Sequence, residues 1–273
     1  MEKIPRDQET SVNLNPLARR FPRDETMGIR AFGTFSTPNN PKDNWGMVDL
    51  PKPKWIDEMQ NAVTGRVFLF GTGPSLVTQK HLLPRMVDES TWTCNRMKHW
   101  GELPFKPTVH CVTEPGPLIQ WGISVNKTYD FPDANLRIAI SWTPVTAKGW
   151  LWCPKAPDDI QMRWEGFWGT KPFLPPLPSG WASPLTMSQL AAWFGHTEFY
   201  FLGIDTTQVG QAWDVEKGRT KHPRNVRSIL ESFDRAKHEM KVAGRAMYDC
   251  TPGGRINQEG ILEYRDLEEV LNG

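Results

Sequence analysis

One short stretch constrains the fold more than any other: the apolar run 66–70, opened by Arg66 and closed by Phe70, passes at once into Gly71-Thr72-Gly73-Pro74-Ser75. A run of β-branched and aromatic residues bounded by glycine and proline predicts a buried strand. Glycines directly behind it let the chain turn sharply and bring backbone N–H groups close to a phosphate or nucleotide, with a following helix N-terminus adding partial positive charge. The spacing is only half of a dinucleotide fingerprint, because Leu76 holds the third glycine position, and no Lys-Ser or Lys-Thr pair of a phosphate loop follows. Two readings of the loop stay open here, a structural tight turn and a nucleotide site.

Further strands are expected at 92–94, 108–113, 136–141, 198–204 and 246–248. Their intervals leave room for crossovers, which predicts an α/β fold: a Rossmann-like, mostly parallel sheet with helices on both faces. Ser183 followed by Pro184 reads as an N-cap and a first-turn proline. Met187, Leu190, Ala191 and Phe194 then form a helical stripe that Gly195 ends. A second stripe, Val226, Ile229, Leu230, Phe233, Ala236 and Met240, starts after Pro223 and stops near Gly244. Asp266 is placed to cap a last short helix through Leu271.

Two regions fall outside this pattern. Residues 1–60 are rich in proline and poor in apolar runs, and read as an extended N-terminal arm ahead of a nucleotide-binding domain at 61–273. The arm's Phe32, Phe35, Trp45 and Trp55 suit packing on the domain, on a partner protein or on a second copy of the chain. Residues 142–181 carry six Trp and seven Pro with neither helical nor strand period. That composition predicts a long irregular lid or binding segment rather than a disordered linker.

Composition narrows the partners. The 273 residues include 32 Lys+Arg and 31 Asp+Glu, a formal net charge of +1, so no global field would hold a nucleic acid. No run of about 18 apolar residues offers a membrane span. Cys94, Cys111, Cys153 and Cys250 form no C-x-x-C pair, and no secretory signal is visible, so reduced thiols and a cytoplasmic location are expected.

Several rim positions carry candidate chemistry. Asn95 ends the second strand, where an open parallel sheet offers its ligand crevice, and suits a base edge or ribose; a turn or cap role is the alternative. Asp205 and Thr207 follow the apolar strand at 198–204, fit either to orient a sugar hydroxyl or to cap the next turn. His222 lies in a basic loop with Lys221 and Arg224, where those positive groups would help keep the imidazole neutral and fit to act as a general base. No Asp-x-Asp and no cluster with metal spacing occurs, so no metal cofactor is expected, and protein groups would stabilise any departing phosphate.

In order, these motifs resemble those of the CMP-sialic-acid-dependent bacterial sialyltransferases of the Campylobacter type, over residues 66–250. That family has a strand followed by Gly-Asn-Gly-Pro-Ser-Leu, a Cys-Asn at the next strand end, a Ser-opened helix, and an apolar strand ending Gly-Ile-Asp. Its catalytic histidine precedes a long helix. Here the matches are Gly71 to Leu76, Cys94-Asn95, Ser183, Gly203-Ile204-Asp205 and His222 to Asn225. The resemblance implies a metal-independent, inverting transfer of a sugar from a nucleotide-activated, CMP-linked donor to a glycan or other hydroxyl acceptor. Gly71, Thr72, Gly73, Pro74, Ser75, Asn95 and Ser183 would bind the nucleotide. His222 would be the base, and Asp205, Thr207, Trp213 and Arg224 would lie at the phosphate or sugar. The chain departs from the family at Thr72, Thr207, Glu114 and Gly180, which replace residues that contact the donor.

A second resemblance is to the MptE-like family of 6-hydroxymethylpterin pyrophosphokinases, through the same glycine turn and the 248–271 tail. It implies Mg²⁺ and ATP held by Glu114, Asp205 and Asp214. A third reading keeps the fold as an inactive structural or interaction protein.

Overall fold

The computed structural model describes residues 54–95, 97, 103–113, 133–141, 149–154, 182–206, 212 and 226–273. In chain order these form α1 (Lys54–Glu58), β1 (Arg66–Phe70), α2 (Leu76–Gln79), a 3-10 helix (Lys80–Met86), β2 (Thr91–Cys94) and β3 (Val109–Val112). Then follow β4 (Leu136–Ser141), β5 (Leu151–Pro154), α3 (Ser183–Phe194), β6 (Glu198–Leu202), α4 (Val226–Val242) and β7 (Ala246–Asp249). The chain closes with α5 (Arg255–Gln258), β8 (Glu263–Tyr264) and α6 (Leu267–Asn272).

The strands make one eight-stranded sheet in the order β5-β4-β3-β2-β1-β6-β7-β8, and every neighbouring pair is parallel. The chain winds outward from β1 to β5, returns, and winds the other way from β6 to β8. Between β1 and β6 the direction reverses, which in a doubly wound sheet creates the ligand crevice at the C-terminal strand ends.

Two separate cores prove that both faces are covered. Along β1, Val67 and Leu69 point into one core while Phe68 and Phe70 point into the other; along β6, Phe199 and Phe201 part from Tyr200 and Leu202 in the same way. The first core is closed by α1, α3 and α4, the second by α2, the 3-10 helix and α6. This is why β1 and β6 read as continuous apolar runs rather than alternating ones. Each fully buried Phe, Leu or Val contributes roughly 1.5–3 kcal/mol. The α/β, Rossmann-like class expected from the sequence is therefore the observed one.

Several local expectations change. Trp55, Ile56 and Met59 are buried in the first core, so residues 54–60 belong to the domain and not to the arm. The Trp55 indole donates to the Trp152 carbonyl (3.1 Å), and Trp193 donates to the Ile56 carbonyl (2.6 Å), pinning α1 across the end of α3. Along its length α3 buries Thr186, Ser188 and Gln189 as well as its apolar stripe. Gly195 ends α3 at φ +114°, as expected. Within the 142–181 segment, Leu151–Pro154 is an edge strand paired with β4, where a terminal proline is tolerated; apart from Gly149 and Trp150, the rest lies outside the described residues. All four cysteines are buried and outside any disulfide, and no described helix is long and apolar enough to cross a membrane.

Candidate functional site

Two polar clusters sit side by side on the C-terminal rim, one across the ends of β1 and β6 and one across β2 and β3. The first extends the sheet beyond its strands. Phe70 and Leu202 are register partners; past them the Gly71 amide donates to the Leu202 carbonyl (2.7 Å) and the Gly73 amide to the Gly203 carbonyl (2.8 Å). A Cβ at position 71 would run into the Gly203 carbonyl, and one at position 73 would overlap the Asp205 carboxylate. Close approach of two backbones is what both glycines serve.

Asp205 completes this cluster. Its Oδ1 accepts from the Ser75 amide (3.0 Å) and its Oδ2 from the Ser75 hydroxyl (2.9 Å). Burial pushes the Asp205 carboxyl above the usual range, and the two Ser75 bonds pull it part of the way back. Thr72, Gly73 and Pro74 form the half-exposed crest of the loop, and the Thr72 carbonyl accepts from the Ala212 amide (2.8 Å). The helix expected to aim its N-terminus at this loop is a single turn, α2, which gives way to the 3-10 helix around Pro84. Four residues sum too few peptide dipoles to supply much positive charge.

Behind Asp205 lies a carboxylate the sequence reading did not single out. Asp249, fully buried at the end of β7, accepts from the Thr251 amide (2.9 Å) and from the Asn257 side chain (2.9 Å). Burial raises its pKa, and the charge of Asp205 raises it further. The Thr251 hydroxyl accepts from the Ile204 amide (3.2 Å), so the turn after β7 braces the turn after β6. The signal in the sequence was an Asp-x-Thr at a strand end, a local turn former.

The second cluster is built from neutral side chains. Asn95 adds one more pairing bond to β3, from its amide to the Cys111 carbonyl (2.8 Å), and then turns at φ +49°. Asparagine is among the few residues that adopt this left-handed conformation at tolerable cost. Its Oδ1 accepts from the Thr113 amide (3.2 Å), its Nδ2 donates to the Ser183 hydroxyl (2.8 Å), and the Thr113 and Ser183 hydroxyls lie 2.5 Å apart. Ser183 was expected to cap its helix. It is instead the first helical residue, with Ala182 as the cap, and its hydroxyl faces Asn95 and Thr113. Thr113 was missed because one polar residue after an apolar strand looks like any strand end.

Below this cluster, buried His110 on β3 sits with Nδ1 2.9 Å from the Thr93 hydroxyl. Desolvation, aided by the Arg137 charge, lowers its pKa to about 3, so it is a neutral core residue. No group of three or more His, Cys, Asp or Glu among the described residues could hold a metal ion.

No protein-family model and no curated protein matches the chain. Among solved structures it is similar to the sialyltransferase CstII from Campylobacter jejuni in complex with a substrate analogue, cytidine-5'-monophosphate. The identity is 15% and the TM-score 0.42, over 73% of this chain and 84% of that one. A mutant of the alpha-2,3/8-sialyltransferase CstII is similar at 14% identity and TM-score 0.40, over 73% and 86% of the two chains.

The structure thus brings Gly71, Thr72, Gly73, Pro74, Ser75 and Asp205 together at one rim, and Asn95 with Ser183 at the adjoining one. His222, Arg224, Thr207 and Trp213, with Glu114 and Asp214 of the alternative reading, lie outside the described residues.

Proposed function

We propose that the chain is a glycosyltransferase that moves a sugar from a nucleotide-activated donor to an acceptor hydroxyl, with inversion and without a metal. The observation that carries this reading is the Asn95 cluster: a polar side chain fixed by Thr113 and Ser183 at a strand end, one strand from the glycine turn at the switch point. Such a crevice suits a nucleotide. His222 takes the proton of the acceptor hydroxyl, and the acceptor oxygen attacks the anomeric carbon on the face opposite the phosphate. The carbon–oxygen bond to the phosphate breaks, and its electron pair leaves with the phosphate, whose charge Arg224 and Lys221 stabilise.

Calorimetric titration with CMP, CDP, UDP, GDP and ATP, each with and without Mg²⁺, tests the reading. Metal-independent CMP binding is expected. Binding of ATP alone, and only with Mg²⁺, would replace this proposal with the pyrophosphokinase reading, and no binding at all would favour a structural protein. In that titration His222→Ala is expected to keep nucleotide affinity within a few-fold, and with a nucleotide-sugar donor and an acceptor present it is expected to abolish turnover; equal turnover would remove the mechanism.

A further inference from the structure

Resting on that nucleotide reading, we infer that Asp205 is a positioning residue that latches the Gly71–Ser75 loop, and that the latched loop seats the uncharged nucleoside end of the ligand rather than a phosphate. A loop that cradles phosphate does so with free backbone N–H groups. Here the amides of Gly71, Gly73 and Ser75 all point inward, to the Leu202 carbonyl, the Gly203 carbonyl and the Asp205 carboxylate. Pro74 has no N–H to offer.

The electrostatics agree with the geometry. Asp205 stands directly behind position 73, and Asp249 stands behind Asp205, so the groups under the loop are acidic. Among the described residues, Arg255, whose backbone amide donates to the Asp205 carbonyl (3.2 Å), has its guanidinium on Glu259 (2.5 Å). With the amides of Gly71, Gly73 and Ser75 turned inward, a phosphate on the loop crest would find only the Thr72 amide among the loop's backbone donors, above two buried carboxylates. Ribose hydroxyls or a base amino group would meet the half-exposed Thr72 and Gly73 without that repulsion.

A latch and a ligand contact respond differently to the same substitutions. Asparagine at 205 keeps the shape and both bonds: its carbonyl accepts from the Ser75 amide and its NH₂ donates to the Ser75 hydroxyl, which can accept. Alanine keeps neither.

The test titrates CMP and cytidine into wild type, Asp205→Asn, Asp205→Ala and Arg224→Ala, and reads hydrogen exchange of the amide at position 75 by NMR. Asp205→Asn is expected to stay within about threefold of wild type for both ligands. Asp205→Ala is expected to weaken CMP and cytidine by the same factor, about tenfold or more, with exchange at position 75 accelerated by at least that much. Arg224→Ala should weaken CMP but not cytidine. Loss of binding in Asp205→Asn as large as in Asp205→Ala, with exchange at position 75 still slow, would make the carboxylate a ligand contact and overturn the latch. Selective loss of CMP over cytidine in Asp205→Ala would overturn the nucleoside seat.

Should Asp205→Ala fail to fold, Ser75→Ala carries the test. It removes the hydroxyl bond alone and is expected to weaken both ligands about threefold and to speed exchange at position 75; no change in either would sink the latch. If wild type binds neither ligand, the nucleotide reading and the seat fall together. The exchange rates of Asp205→Asn and Asp205→Ala then decide the latch alone.

Discussion

The two rim clusters solve one structural problem by opposite means. At β1 and β6 the chain is held by what is missing: without side chains at 71, 73 and 203, two backbones pair beyond their strands and a carboxylate slips in behind. At β2 and β3 it is held by what is present, a left-handed asparagine whose amide and hydroxyl partners come from two distant segments. The first arrangement rests on backbone pairing backed by the Asp205 carboxylate on Ser75. The second tolerates a change of side chain but loses its shape bond by bond.

That difference ranks the consequences of substitution. Gly71→Ala is expected to cost more than any side-chain change at the β2–β3 rim, about 3 kcal/mol or more. The obstacle is the Gly203 carbonyl, which cannot swing away because the Gly73 amide holds it at 2.8 Å. Urea unfolding measures this, and a cost below that of Asn95→Ala would break the contrast between the two rims.

The groups behind the rims give the contrast a pH signature. Behind the second rim, His110 is neutral in the fold, with a pKa of about 3 against 6.5 for a free histidine. A lowered histidine pKa contributes stability that is complete above the unfolded value and is lost as pH falls through the window from 6.5 towards 3. The stability difference between wild type and His110→Gln should therefore shrink by about 1.4 kcal/mol per pH unit as pH falls from 6.5 to 4. Behind the first rim the sign reverses. Asp205 and Asp249 have raised pKa values, so their contribution is complete in acid and is lost as pH rises through the carboxylate range. Parallel pH slopes for His110→Gln and Asp249→Asn, each referred to wild type, would show that the two rims are not electrostatically distinct.

Asn95→Ala comes next, at about 2 kcal/mol. It strips the Thr113 amide of its acceptor and the Ser183 hydroxyl of its donor, and leaves alanine in a left-handed conformation. Thermal unfolding reads the loss; a change under 0.5 kcal/mol would mean that the cluster does not hold the rim.

The same contrast explains what the sequence disclosed. β1 and β6 were legible because strands buried on both faces are unbroken apolar runs, and the turn behind β1 because glycine marks close backbone approach. The side-chain rim was only half legible. Asn95 and Ser183 stood out as polar residues beside structural breaks, yet nothing in their spacing, 88 positions apart, says that they touch. Thr113 and Asp249 were overlooked because a polar residue buried by tertiary packing looks, in one dimension, like a surface residue. Asp205 was visible, but its partner was not, since whether a carboxylate at a strand end faces a ligand or its own scaffold depends on where Ser75 falls in three dimensions. β5 and α1 were lost for a further reason: Trp and Pro in the same stretch hide a strand or helix whose place is fixed by distant cover, such as the Trp55–Trp152 bond.

Thr206 supplies the smallest and sharpest comparison. Like Asn95 it is non-glycine in the left-handed region, at φ +51°, but it is β-branched, the type least suited to that conformation. Its hydroxyl donates to the carbonyl of Asp205, its neighbour in sequence (2.7 Å). Thr206→Gly relieves roughly 1–2 kcal/mol of backbone strain and gives up one hydrogen bond worth about 1 kcal/mol. It also adds roughly 0.4–1 kcal/mol of freedom to the unfolded chain. The net change is expected within about 0.5 kcal/mol of zero by urea unfolding, because these contributions nearly cancel. Asn95→Gly relieves a similar strain but sacrifices the bonds to Thr113 and Ser183, so it should cost more than Thr206→Gly. If the two glycine variants prove equally stable, the Asn95 bonds add nothing, and the β2–β3 rim is held by backbone after all.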